Sequence, residues 1–273
     1  MAFRAESAWD RRSVMASGDD KDSHKQVKLR GELVLGRRQL NAKFESLQPR
    51  TFSSGEVLAM SAGPSDAIFR IRAGWACQYT NLTNCRRAII DIYLPGDVVG
   101  LDAVFGTRRF EEVLTLTSVT VEVIHEKYAL IDLMACRPTA LYIAWLLGQR
   151  QRRADQVLAA VSCLDGRGRL ATMLLGFYTR LRRRRLITGS TYNLPLTQIQ
   201  IGGYLGLTVS SVNRVLRSLR DESIAQIEKH CVTILDLERL VCLAQHGRPE
   251  NSVAFIDERS SNEIALPNNE APD

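Results

Sequence analysis

The sequence predicts an α+β protein in three parts: a β-rich N-terminal roll, a long central helix, and a C-terminal winged helix-turn-helix. Three observations predict it. Strand-like runs rich in Val, Ile, Thr and aromatic residues fill residues 50–126. A heptad-like stripe runs from residue 140 to residue 161. Two short helical patterns meet at a glycine inside Gln198–Leu219.

The first 27 residues mix charges, Ser and Gly without periodicity. They read as part of a flexible extension over residues 1–45, with a short helix within residues 28–49 leading into the first domain. Residues 46–136 form that domain. Four runs read as strands: FSSGEVLAM, AIFRIRAGWACQYT, RRAIIDIYLPGDVVG and VLTLTSVTVEVIHE. Turn signals separate them at Ser53-Ser54-Gly55, Gly63-Pro64-Ser65, Asn81–Asn84 and Pro95-Gly96-Asp97. Short strands at this interval predict a sandwich or barrel-like roll. Residues 127–135 read as a short helix.

Residues 137–164 read as one long helix, opened by Pro138, which is tolerated at a first helical position. Along it Ala140, Ala144, Leu147, Gln151, Ala154, Leu158 and Val161 step by 4 and 3 alternately. That is the period of a coiled-coil seam, with Gln151 as a register-setting polar residue. The stripe suits either a second copy of the chain or the chain's own roll. Leu141, Trp145 and Gly148 offer a second face to the roll, so a homodimer through the seam is the preferred reading.

Residues 165–248 form the last domain. Asp165-Gly166 ends the long helix, and a further helix runs from Gly168 to about Arg183 with Leu170, Leu174, Phe177 and Leu181 on one face. It runs into Arg182, Arg183, Arg184 and Arg185, either a solvated face or a set of phosphate contacts. Numbered from Gln198, a helix-turn-helix needs apolar residues at Ile201, Leu205, Leu207, Val212 and Val215. It needs a small residue at Gly202, where the helices cross, and Gly206 where the turn is left-handed. All seven requirements are met. Thr208 is a good N-cap for the second helix, where the helix terminus also favours a phosphate. With Val212, Val215 and Leu219 facing inward, Ser210, Ser211, Asn213, Arg214 and Arg217 face outward or sideways. Arg pairs with guanine O6 and N7 and Asn with adenine N6 and N7, so Asn213 and Arg214 are candidate base readers. Ser210 and Ser211 assist, and Arg217 serves the phosphates. The runs 223–228 and 231–235 flank Lys229-His230 as a wing-like hairpin, and Asp236 caps a final helix. Residues 249–273 are polar, acidic and rich in Pro and Asn, a disordered tail.

Charge supports this division. The chain carries +6 overall, but residues 137–248 hold 17 Lys and Arg against 7 Asp and Glu, or +10, which leaves −4 elsewhere. A basic half around a helix-turn-helix is the electrostatic footprint of double-stranded DNA as partner. No apolar run is long enough to span a membrane, and no signal peptide opens the chain. Six scattered cysteines without a CxxC pair point to reduced thiols in a cytoplasm. The four histidines lack metal-ligand spacing, and no catalytic triad, HExxH or phosphate-loop motif is present. An enzyme, a metal site and a cofactor are therefore not expected.

The order of parts over residues 46–246 resembles the cyclic-AMP receptor protein/Fnr (Crp/Fnr) superfamily of bacterial transcription regulators. Tyr93–Leu101 resembles that family's LPGD-x-x-G turn, and Leu164–Arg169 its hinge. Ile199–Leu219 is similar to its helix-turn-helix, with YLGLT closest to the Fnr/FixK branch. The resemblance implies a double-stranded β-helix (a jelly-roll-like β-roll) as sensor domain, a dimerisation helix, and RNA polymerase as a further partner. Three departures bear on mechanism. Cyclic-nucleotide-binding members follow the turn with Gly-Glu and later Arg-Ser; here Gly100 precedes Leu101-Asp102, and Phe110–Val113 lies downstream. A cyclic nucleotide is therefore not expected, although a roll that binds some small effector is the alternative function. Cluster-bearing members need four close thiolates, whereas this chain has no cysteine before Cys77. Cys77 and Cys85 fall on adjacent strand-like runs and read as small apolar residues. Fnr-like members carry Glu-x-x-Ser-Arg for base reading, and the matched positions are Ser210, Asn213 and Arg214. Arg is kept; the acceptor for a cytosine amine is lost.

Overall fold

A computed structural model describes residues 19–59, 67–81, 87–101, 111–125 and 127–245. Among the described residues, eight strands build the roll: β1 (Arg50–Phe52), β2 (Val57–Ala59), β3 (Ile68–Ala73), β4 (Ala76–Asn81), β5 (Arg87–Tyr93), β6 (Val98–Val99), β7 (Glu111–Thr115) and β8 (Val119–Ile124). They pair antiparallel into two four-stranded sheets, ordered β1-β8-β3-β6 and β2-β7-β4-β5. Alternate side chains of both sheets, among them Phe69, Ile71, Val113, Val119 and Val121, meet in one buried core. This is the expected jelly-roll-like roll. Its Pro95-Gly96-Asp97 turn is closed by the Asp97 carboxylate, which accepts the Leu94 N–H at 2.7 Å.

The N-terminus departs from expectation. In place of a flexible extension with a short helix, residues Asp19–Glu45 form a 27-residue helix, α1. Its C-terminal half buries Leu40 and Phe44 against Ile68, Leu101, Ile124 and Ile143. At Gly36 the helix crosses so closely that a Cβ would stand 2.0 Å from the Pro138 carbonyl oxygen. The Arg70 guanidinium lies 5.2 Å from the Phe44 ring centroid and donates to Glu122 at 2.6 Å. Residues 1–18 and the tail at 249–273 lie outside the described residues.

Helix α2 (Lys127–Met134) leads to the long helix α3 (Arg137–Cys163), with proline in its first turn as expected. The face that α3 turns to the roll differs from the predicted one. Thr139, Ile143 and Ala160 are its buried residues, and Arg150 and Arg153 continue the same stripe. Arg150 donates to Gln78 on β4 at 2.9 Å, and Arg153 to Asp91 on β5 at 3.0 Å. Leu141 and Trp145 are only half-buried, with Trp145 stacked on Tyr142, and Gly148 is exposed. The inward stripe is polar in its middle, so a search for apolar residues passes over it.

The C-terminal domain comprises α4 (Gly166–Arg183), β9 (Thr191–Asn193), α5 (Gln198–Leu205), α6 (Val209–Asp221), β10 (Ala225–Glu228), β11 (Cys231–Ile234) and α7 (Leu237–Gln245). Asp165 does not merely end α3. It caps α4, accepting the Gly168 N–H at 2.8 Å, so α4 begins at Gly166. The hairpin β10–β11 is joined by β9 into a three-stranded wing sheet. Its two-residue turn holds Lys229 and His230 at φ 48° and 65°, the left-handed values such a turn demands.

Candidate nucleic-acid interface

Helices α5 and α6 meet as the sequence requires. Thr197 and Gln200 form a reciprocal capping box at the start of α5. Gly206 ends that helix at φ 64°. A Cβ on Gly202 would lie 2.6 Å from the Leu207 carbonyl oxygen, which is why that position must be small. Ile201, Leu205, Val212, Val215 and Leu219 are all buried, and Leu207 packs against the same core. Burial of one stripe of α6 fixes the opposite stripe outward.

That outward stripe is continuous. Ser210, Asn213, Arg214, Arg217, Ser218 and Asp221 line one shallow groove along α6. Ser210, Arg214 and Arg217 are exposed and Asn213 is half-buried. Ser211 is tied into the cap: its N–H donates to Thr208 Oγ1 at 3.2 Å, and the two hydroxyls are 2.9 Å apart. Ser210 Oγ also lies 2.9 Å from Thr208 Oγ1. The first turn of α6 therefore presents clustered hydroxyls at a helix N-terminus, a surface suited to an anion.

A clamp at the far end of α6 was not anticipated from the sequence. Glu222 accepts from Arg167 of α4 at 2.8 Å, from Arg239 of α7 at 3.1 Å and from Ser218 at 3.0 Å. Those donors lower the Glu222 pKa, Arg167 and Ser218 most. The contacts link the end of α6 to two neighbouring helices. The spacing within the sequence offers no signal for them, since the partners lie 55 and 17 residues away.

The run of four arginines does not act as one face. Arg182, Arg183 and Arg185 are exposed, and Arg182 donates to the Tyr178 hydroxyl at 2.6 Å. Arg184 turns the other way, to the roll: it donates to Asp97 at 2.6 Å and to the Pro95 carbonyl at 2.6 Å. Arg180, one turn earlier on α4, donates to the other Asp97 oxygen at 2.5 Å and to the Ile92 carbonyl at 3.1 Å. Burial alone would raise the Asp97 pKa, but the Arg184 and Arg180 charges outweigh it and hold the carboxyl well below the ordinary range. Sequence reading found the Asp97 turn and missed this second use of its carboxylate.

The predicted seam on α3 is largely open. Ala144, Gln151, Ala154 and Leu158 are exposed, Leu158 at 66 %, while Ala140, Leu147 and Val161 are half-buried. Gln151 donates to Asp155 at 2.8 Å, one turn on. In the roll, Leu101, which stands where cyclic-nucleotide binders place Glu, is 4 % exposed within the cluster formed by Leu40, Phe44 and Ile143. Residues 102–110 and Cys85 lie outside the described residues. Burial pushes the Cys77 thiol up to about 11, with the Tyr79 hydrogen bond opposing, which is the setting of an unreactive packing residue. Among the described residues, no group of His, Cys, Asp and Glu is placed to hold a metal ion, and no helix is long and apolar enough to cross a membrane.

Known proteins share this architecture. Residues 168–243 match the model of a Crp-like helix-turn-helix domain, and residues 49–134 that of a cyclic nucleotide-binding domain. The fumarate and nitrate reduction regulatory protein of Vibrio cholerae is 29% identical over 209 residues, covering 76% of this chain and 81% of that protein. The anaerobic regulatory protein of Pasteurella multocida is 27% identical over 210 residues, covering 76% and 74%. The solved structure of FixK2 from Bradyrhizobium japonicum superposes with a TM-score of 0.65 at 23% identity, over 72% of this chain and 96% of that one, and shares the fold.

Proposed function

We propose that this chain, which belongs to the Crp/Fnr superfamily of transcription regulators, reads double-stranded DNA as a homodimer on a near-palindromic site. That it is a DNA-binding regulator and not an enzyme follows from the family. The mode of reading rests above all on one observation: the unbroken outward stripe of Ser210, Asn213, Arg214 and Arg217 on a helix whose opposite stripe is buried. Arg214 and Asn213 contact base edges in the major groove, with Ser210 assisting. Thr208 and Ser211 present the capped N-terminus of α6 to a phosphate, and Arg217, Arg182, Arg183 and Arg185 meet the backbone. Arg184 is withdrawn from that set, because Asp97 and Pro95 hold it.

Two copies join through Ala140, Ala144, Leu147, Gln151, Ala154, Leu158 and Val161, a face of α3 on which Ala144, Gln151, Ala154 and Leu158 are exposed. Pairing there sets two recognition helices about one helical turn apart, roughly 34 Å, in successive major grooves. RNA polymerase is the further partner, and a cytoplasm the setting, of a regulator of this kind. Selection of bound sequences from random DNA by the purified protein tests the reading. Two inverted half-sites at that spacing are expected; a pool without base preference would refute it.

The roll, in this reading, is not a cyclic-nucleotide receptor. Leu101 offers no acceptor for a ribose hydroxyl, and α1 fills the adjoining space with Leu40 and Phe44. Cyclic AMP and cyclic GMP are expected to leave the melting temperature unchanged. A saturable rise with either would favour the ligand-sensor alternative.

A further inference from the structure

The roll and the reading head share one core in the same chain. Trp75, Cys77, Ile89, Ile92 and Leu94 of the roll are buried together with Leu174, Phe177 and Leu181 of α4. The Trp75 and Phe177 rings meet edge-on at 5.4 Å. Gln200 of α5 donates to the Tyr79 hydroxyl on β4 at 3.1 Å. At the centre, the Asp97 carboxylate receives Arg180 on one oxygen and Arg184 on the other. The same sheet holds α3 through Arg150 and Arg153. The roll therefore bridges the seam helix and the reading head, in addition to the covalent turn at Leu164-Asp165. A head joined only by that turn would swing; a head bound on both sides of the hinge does not. In this docked state the outward stripe of α6 and most of the α3 seam remain open to solvent.

We infer that Asp97 is a positioning residue for DNA reading: by gripping Arg180 and Arg184 it locks the recognition helix at a set distance from the dimer seam, and so dictates the half-site spacing. The inference rests on the dimeric reading above. Asp97 touches no base. Its effect falls on the geometry between two heads and not on the bases each head prefers.

Asp97→Asn isolates that role, because the amide keeps a carbonyl oxygen for the Leu94 N–H that closes the turn while losing the charge that holds two guanidinia. Arg184→Gln removes one of the two guanidinia from the other side, together with its bond to the Pro95 carbonyl, and leaves in place the Asp97 bond to the Leu94 N–H that closes the turn. Full-length protein is titrated against the selected palindrome and against versions with one base pair added or removed at the centre. The wild type is expected to lose about tenfold or more for each change, since one base pair turns the half-sites by roughly 35°. Both variants are expected to lose about threefold or less, with half-site preference unaltered. General destabilisation would lower active protein for every duplex alike and leave those ratios where they were. If the wild type is strict and Arg184→Gln and Asp97→Asn are equally strict, the inference is overturned; should Asp97→Asn not fold, Arg184→Gln decides. If the wild type shows no preference for paired half-sites, it is the dimeric reading that falls, and this inference with it.

Discussion

Adjacent glycines in α5 respond to alanine in opposite directions. At Gly202 the added methyl would stand 2.6 Å from the Leu207 carbonyl oxygen, which belongs to the backbone between the two helices. Ordinary contact begins near 3.4 Å, so roughly 0.8 Å must be found by moving α5 against α6. Overpacking of this kind costs about 1–3 kcal/mol. One residue on, a methyl at Gly203 meets nothing within 4 Å, and the residue is exposed within the helix. There alanine restricts the unfolded chain and stabilises by about 0.5–1 kcal/mol. The pair should therefore differ by roughly 1.5–4 kcal/mol, read as midpoints of urea unfolding at equal slope. Gly202→Ala should also weaken binding to the selected site, because the shift tilts α6. Equal midpoints for the two variants, or a more stable Gly202→Ala, would refute the helix crossing described above.

Other expectations follow from the same geometry. Arg214→Ala should cost about 1–3 kcal/mol on the selected site and relax preference at one base pair per half-site; an equal loss on random DNA would contradict a base contact. Removing Arg183 and Arg185 together should weaken binding to all sequences and lower the salt slope by about 2, and an unchanged slope would exclude both from the phosphates. Leu158→Asp puts a charge on the most exposed large residue of the seam and should shift sedimentation from dimer to monomer at micromolar protein; an unaltered dimer would move the interface elsewhere. Asp97, held low by Arg184 and Arg180 against burial, adds stability above its unfolded pKa of about 3.9 and surrenders it as pH falls toward the folded value. The melting-temperature gap between wild type and Asp97→Asn should thus hold from pH 8 to about pH 5 and narrow only below about pH 4. A gap that closes near neutrality would mean the carboxylate is not paired.

The helix-turn-helix was legible because its constraints are local. Gly202, Gly206 and Thr208 each answer to backbone geometry within a few residues, and the buried stripe of α6 has the plain helical period. The strands of the roll were legible from Val, Ile and Thr between turn signals. Helix α1 was legible only as a short helix within residues 28–49, because Gly31 and Gly36 interrupt it and Leu40 and Phe44 are the large apolar residues of a buried stripe that otherwise holds Gly36 and Arg37. Gly36 is the residue that lets α1 approach Pro138. The inward face of α3 was misread for a related reason: Arg150 and Arg153 face the roll because Gln78 and Asp91 await them there, and no apolarity scale registers that match. Arg184 is indistinguishable from its three neighbours in sequence; only a carboxylate 87 residues away separates it from them.

The central claim is that two copies of α6 read two half-sites together. Its most direct measurement is the affinity and stoichiometry of the protein on the selected palindrome, against the same duplex with one half-site scrambled. Two chains per duplex and a loss of at least about 100-fold on scrambling are predicted, several mismatches at about 1–3 kcal/mol each being more than enough. One chain per duplex, bound as tightly to the scrambled site, would contradict it.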